Sequence, residues 1–226
     1  MFQFEWLLTF GFIAYLLGSI PNAVWIGKAF FGKDVRDYGS GNAGATNVFR
    51  VLGKGPGTVV LLLDILKGFL AAKLVIGYEY FQNPEISQIG DYQKVNLMLG
   101  YGMAAVLGHL FPIFAGFRGG KGIATLGGLI IAINYWIALI AIGLFLVILF
   151  STRFVSVGSM LAGLSIPVLF VKIFGIEHPE YKQPTVIAFT IAISVLVVYT
   201  HRKNIQRLIQ GNENKAKLLP KHRNHA

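Results

Sequence analysis

Over residues 123–150 the chain runs twenty-eight positions without a charged side chain. A stretch that apolar is stable only away from water. Counted from Gly120, the thirty-one residues to Phe150 would reach roughly 46 Å as one helix, against a hydrocarbon core of about 30 Å. One helix overshoots the bilayer unless it tilts heavily. Asn134-Tyr135-Trp136 breaks the run with a polar residue and two aromatics of the kind that favour interfaces. The run therefore reads as two short spans, 122–133 and 136–150. A re-entrant hairpin is the alternative for the first.

Further apolar runs cover 4–31, 55–76, 96–114, 157–174 and 185–200. With 54% hydrophobic and 13% charged residues in 226, and a mean hydropathy of +0.62, the chain is expected to be an all-α polytopic membrane protein. The first run continues too far for a cleavable signal peptide, and no basic residue precedes it. The net charge of +10 would suggest nucleic acid in a soluble chain, but here the cations lie between and after the apolar runs. Topology and anionic ligands explain them better. With the N-terminus outside, seven transmembrane helices place the loops holding Lys28 to Lys54, Arg118 with Lys121, and Arg153 on the cytoplasmic side. The C-terminus joins them with seven cations. The acidic 77–95 loop, Asn134-Tyr135 and 175–184 fall outside. Counting 120–150 as one span would put the basic tail outside, against the usual charge rule. The expected organisation is one integral-membrane domain, 1–213, and a basic tail, 214–226.

Three polar stretches reach the same face. In 108–125, Arg118-Gly119-Gly120-Lys121-Gly122 joins two cations to glycines whose amides are expected to be bare. A helix start follows, so the stretch reads as an anion site or as a tight basic turn. In 39–50, Gly39, Gly41 and Gly44 alternate with Ser40, Asn42, Thr46 and Asn47 and end at Arg50. Short donors on a permissive backbone suit an oxyanion, which Arg50 can bind bidentately; a flexible loop is the plain reading. In 201–213, His201, Asn204 and Leu208 share a helical face with Arg207 near it, and Gly211 is a stop signal. That segment also suits a basic helix lying on anionic lipid. Gly18-Ser19-Ile20-Pro21-Asn22 interrupts the first run, as a packing kink or as part of a site. Asp64 and Lys67 lie three apart inside the second, as a self-neutralising pair or as part of a site.

The absences matter equally. Without cysteine there is no disulfide, thiolate metal site or catalytic thiol. No serine sits in a nucleophile elbow, and no histidine is followed five positions later by aspartate. No metal-ligand spacing occurs in the cytoplasmic stretches, so no metal and no cofactor are expected. His109 and His201 are the main acid–base groups.

Residues 39–50, 108–125 and 201–213 resemble, in order, the three signature motifs of the bacterial acyl-phosphate:glycerol-3-phosphate acyltransferase family (PlsY). Gly18-Ser-Ile-Pro21 and Asp64-Ile-Leu-Lys-Gly68 also fit. Ala43 stands where the family often has proline, and Ile123 where it often has valine. The resemblance implies transfer of a fatty acyl group from acyl phosphate to the 1-hydroxyl of glycerol 3-phosphate, giving lysophosphatidic acid and phosphate. It implies that Ser40, Arg50, Lys121, His201 and Asn204 gather around glycerol 3-phosphate. Substrate binding would fall to Gly39, Gly41, Asn42, Gly44, Thr46, Asn47, His109, Arg118, Gly119, Gly120 and Gly122. Membrane lipid and a soluble acyl-phosphate-producing enzyme are the implied partners. The implied location is the bacterial inner membrane, with the site at its cytoplasmic face. A transporter of an organic anion or phospholipid would share the spans and basic loops, but no internal repeat is visible. A membrane scaffold with a recruiting tail would not explain three clusters on one side.

Overall fold

A computed structural model describes residues 2–82 and 89–216. Glu85 and tail residues 217–226 lie outside the described residues. Regular structure among the described residues is entirely helical: α1 (Phe2–Ser19), α2 (Asn22–Phe31), α3 (Ala45–Val51), α4 (Lys54–Lys73), α5 (Val75–Gln82), α6 (Asp91–Leu110), α7 (Ile123–Ile133), α8 (Tyr135–Thr152), α9 (Val155–Pro167), α10 (Pro184–Thr200) and α11 (Arg202–Ile209), with short turns between.

Among the described residues, four stretches are long and apolar enough to cross a membrane: Phe4–Phe31, Asp91–Ala115, Tyr135–Thr152 and Val155–Ile176. A fifth arises if α10 and α11, bent by 54° at their junction, are counted together. Length and apolarity alone thus fall short of the seven crossings expected. The 55–76 run forms α4, twenty residues long, but Asp64 and Lys67 within it and lysines at both ends dilute its apolar character. The 122–133 run forms an eleven-residue helix, about 16 Å long, half the hydrocarbon core. Asn134 explains the break. It leaves the helical conformation at ψ +108 and its carboxamide oxygen accepts from the N–H groups of Trp136 and Ile137, capping α8. The expected outer loop at 77–95 is also shorter than its polarity suggests. Tyr78 is buried, Trp6 stacks on Phe81 at 4.6 Å, and Lys94 pairs with Glu79 at 3.2 Å, so α5 and the start of α6 fill most of it.

Small residues set the packing. A Cβ on Gly18 would lie 2.0 Å from the Ala105 carbonyl oxygen, and one on Gly108 would lie 2.3 Å from that of Tyr15, so α1 and α6 touch backbone to backbone. α4 and α7 repeat the device: Gly68 faces the Thr125 carbonyl and Gly128 that of Ile65, each at 1.9 Å from the missing Cβ. The Pro21 break is indeed a packing kink, and it absorbs the buried pair. Lys67 Nζ donates to the Ile20 carbonyl at 3.0 Å and pairs with Asp64 at 2.9 Å, while the Asn22 carboxamide donates to the same carboxylate at 2.9 Å. Two charges inside the bundle are thereby neutralised and hydrogen-bonded, as burial away from water demands.

Candidate active site

A cavity of about 610 Å³ opens among the 40–50 loop, α4, α7, α8, α9 and the 200–214 segment. Its polar end collects Ser40, Gly41, Asn42, Gly44, Thr46, Asn47, Arg50, His109, Lys121, Gly122, His201 and Asn204 from the three polar stretches. The remainder is walled by apolar side chains such as Leu61, Ile130, Ile142, Phe145 and Ile166. The resemblance-implied residues Gly39, Arg118, Gly119 and Gly120 do not line it.

The 39–50 loop is shaped by Asn47, only 1% exposed. Its carboxamide nitrogen donates to the carbonyls of Val35 (2.7 Å) and Tyr38 (3.1 Å), and its oxygen accepts from the Ser40 N–H at 2.8 Å. Asn47 is therefore spent on the loop itself. Gly39 sits beneath it at φ +62, where an added Cβ would meet the Asn47 oxygen at 2.4 Å. The result presents the Ser40 side chain and the start of α3 to the cavity. The first-turn N–H groups of Ala45 and Thr46 have no acceptor among the described residues.

The glycine-rich stretch departs from expectation. The N–H of Gly119 donates to Leu110 O at 3.2 Å and that of Gly120 to His109 O at 3.1 Å. These amides close the end of α6 and are not bare. Both glycines pack where a side chain cannot, a Cβ on either lying 2.0–2.1 Å from His109 atoms. Donors for an anion come instead from Lys121 and the first turn of α7, where Gly122 at φ +79 starts the helix. With α3 and α11 also beginning at the cavity wall, three helix starts contribute partial positive charge there.

Arg118 is solvent-exposed, and an unforeseen residue does the anchoring. Arg36 grips Asp34 through Nε (2.9 Å) and Nη2 (2.7 Å), and its Nη1 donates to the carbonyls of Ala115 (2.8 Å) and Arg118 (3.3 Å). That grip holds the Asp34 carboxyl well below the usual range. One guanidinium thus ties the loop before Ser40 to the loop before Lys121. Arg36→Ala removes a charge-assisted set worth about 1.5–3 kcal/mol, so we expect a lower melting temperature and about a tenfold loss of turnover. Arg36→Lys, without the fork, should rescue little of either; thermal scans and initial rates decide this.

On the opposite wall a chain of contacts runs from Lys121. Its ammonium donates to the Asn204 oxygen. The Asn204 nitrogen donates to Glu213 Oε1 at 2.6 Å, which also accepts from Ser156 Oγ at 3.0 Å, and Arg207 Nε donates to Glu213 Oε2 at 2.7 Å. Burial pushes the Lys121 ammonium down to about 8, the Glu213 charge opposing. His201 is 2% exposed and its Nδ1 donates to Val197 O at 2.8 Å, leaving Nε2 with its lone pair. Burial, aided by the nearby Lys121 charge, pushes it down to about 4. Also lining the cavity, His109 Nδ1 lies 3.7 Å from Asp64.

Glu213 closed the third motif, yet its role was not foreseen. Its pairing with Arg207 spans six residues, outside helical spacing, and depends on Gly211 turning the chain back at φ +71. Ser156 and the apolar wall from α8 and α9 carried no local signal.

Comparisons with known proteins agree with this architecture. Residues 8–211 match the family model described as glycerol-3-phosphate acyltransferase. A glycerol-3-phosphate acyltransferase of Chlorobium phaeobacteroides (strain DSM 266 / SMG 266 / 2430) is 40% identical over 91% of this chain and 94% of its own length. One of Chlorobaculum tepidum is 42% identical over 90% and 93%. The crystal structure of PlsY, an integral membrane glycerol 3-phosphate acyltransferase, in its glycerol 3-phosphate form has a TM-score of 0.78 and 37% identity. It covers 93% of this chain and 95% of that one. The lysophosphatidic acid form gives 0.73 and 36%, over 92% and 94%. With the family model matched over nearly its whole length and an integral-membrane relative of the same fold, this multi-pass membrane chain belongs to the glycerol-3-phosphate acyltransferase family.

Proposed function

We propose that this enzyme transfers a fatty acyl group from acyl phosphate to the 1-hydroxyl of glycerol 3-phosphate, yielding lysophosphatidic acid and phosphate. The observation that carries the reading is one cavity with a cationic, helix-start-lined end continuous with an apolar wall. A donor with a phosphorylated head and a long hydrocarbon chain matches that division. Both substrates then place their phosphates at the polar end, where Ser40, Arg50, Lys121, His201 and Asn204 stand.

The hydroxyl oxygen attacks the acyl carbonyl carbon, and the carbon–oxygen bond to phosphate breaks with its electrons leaving on phosphate. Acyl phosphate is already activated, so the residues mainly align two anions and offset their charge. The carboxylates in the wall are both engaged, Asp64 by Lys67 and Asn22, Glu213 by Arg207, Asn204 and Ser156. The departing phosphate accepts the hydroxyl proton. His201, pushed down to about 4, is neutral across the working range and serves as a hydrogen-bonding group. Its folded value lies below the ordinary 6.5, so it gains charge only well on the acid side. We expect His201→Ala to lower kcat without removing an ionisation from the kcat profile between pH 5 and 8. Loss of such an ionisation with binding intact would make the histidine the base.

The orientation follows the charges: N-terminus outside, C-terminus cytoplasmic, with α4 and α7 completing seven crossings of a bacterial inner membrane and the polar end facing the cytosol. Residues 1–213 form the catalytic domain and 214–226 its basic tail, and a soluble acyl-phosphate-producing enzyme supplies the donor. The deciding experiment gives the purified, lipid-reconstituted protein glycerol 3-phosphate with acyl phosphate, acyl-CoA or acyl carrier protein in parallel. Lysophosphatidic acid formed only from acyl phosphate supports the reading. Product from acyl-CoA alone keeps the acyltransferase and overturns the donor.

A further inference from the structure

Among the described residues, four basic side chains line the cavity: Arg50, Lys121, Lys203 and Arg207. Their engagement is unequal. Lys121 donates to Asn204 and Arg207 to Glu213. Arg50 and Lys203 have no hydrogen-bond acceptor or ion-pair partner among the described residues. The neighbouring Arg202 does not share this freedom, since it lies 4.3 Å over the Tyr199 ring and donates to the Tyr199 carbonyl.

The charge count gives that freedom a purpose. Asp64 is balanced by Lys67, and Glu213 offsets one cation, which leaves three positive charges at the polar end. Two phosphorylated substrates bring close to four negative charges at neutral pH, because a phosphate monoester carries about −1.5 to −2. Arg50 and Lys121 alone cannot neutralise both. Lys203 occupies the first turn of α11, directly before Asn204, and lines the same cavity as Arg50 of α3. Its flexible stem brings a compact ammonium to a phosphate as a point charge.

We propose that Lys203 is a phosphate-binding residue of this site, providing the cation for the second of the two phosphoryl groups that meet in the cavity. The inference rests on the two-phosphate reading given above. It assigns the ligand by chemistry, a phosphate ester or acyl phosphate dianion.

Lys203→Ala and Lys203→Arg in the full-length protein, reconstituted in zwitterionic lipid, test it. Lys203 is exposed, so neither change should disturb melting. In Lys203→Ala, KM for one phosphorylated substrate should rise about tenfold while kcat stays within about twofold. The substrate whose KM moves identifies the phosphate that Lys203 holds. Lys203→Arg should stay within about threefold of the parent, since charge is kept. Both KM values unchanged in Lys203→Ala would overturn the proposal. So would an effect present only in anionic lipid, which would make Lys203 a membrane-surface contact. Calorimetric titration with inorganic phosphate needs no acyl donor. There the alanine variant should bind about tenfold more weakly than the parent, and equal binding would overturn the proposal. Should acyl phosphate prove not to be the donor, the phosphate titration still reads Lys203 independently.

Discussion

Lys121→Ala is expected to lower acyl transfer about 10²–10³-fold, the scale on which removal of one aimed charge in a dry site is felt. Lys121 stands where the first turn of α7 meets the cavity, held by Asn204, itself held by Glu213. Losing it removes a cation from the polar end of the cavity and leaves the Asn204 oxygen without its donor. Because other groups hold Asn204 and Glu213, the fold should persist, and melting should change far less than turnover. The same residue sets an alkaline limit. Burial brings its ammonium down to about 8, so in the free enzyme kcat/KM should fall as pH rises through that value. Lys121→Arg, which stays protonated, should lose that limb while retaining part of the rate. An unchanged alkaline limb in the arginine variant would assign the ionisation elsewhere.

Gly128→Val should be the most damaging change away from the site. Its Cβ would lie 1.9 Å from the Ile65 carbonyl oxygen, which is backbone and cannot rotate aside. α4 and α7 would have to separate, and Gly68 facing Thr125 on the same seam would lose its contact too. Overpacking of this kind costs about 3 kcal/mol or more, and the helices moved carry Asp64 and the Lys121 end of α7. We expect poor recovery of folded protein and no measurable turnover. Gly100→Ala on α6 is the control: nothing lies within 4 Å of its added Cβ, and yield and melting should match the parent. Normal melting of the valine variant would show that the seam is looser than its geometry implies.

What the sequence made legible, it did through long motifs and charge. The convergence of Ser40, Arg50, Lys121, His201 and Asn204 could be anticipated, because each lies in a motif at an apolar run's end and the charge rule puts those ends on one side. The division at Asn134 could be read from the length of the run together with its polar Asn134-Tyr135-Trp136 break. The amides of Gly119 and Gly120 could not, since a glycine pattern does not say whether an N–H faces a ligand or a helix end. Arg36 escaped because it works through carbonyls 79 and 82 residues away, which leave no trace in local spacing. The length of α4 was anticipated. The charges it hides were legible too, but the contacts of Asp64 with Asn22 and of Lys67 with the Ile20 carbonyl were not, because they cross from α4 to the α1–α2 break.

Beyond α11 the chain doubles back: the Ala216 N–H donates to the Arg153 carbonyl at 2.7 Å, and the Lys215 ammonium lies 5.6 Å from the centre of the Phe154 ring. This fastening joins the segment after α11 to the turn between α8 and α9. During synthesis, then, a chain inserted as far as α10 holds Arg50 and Lys121 but neither Asn204 nor Glu213 to steady them. Until residues 204–213 have followed α10 out of the ribosome, Lys121 lacks the partners that hold it, so a half-inserted copy carries an unfinished polar end.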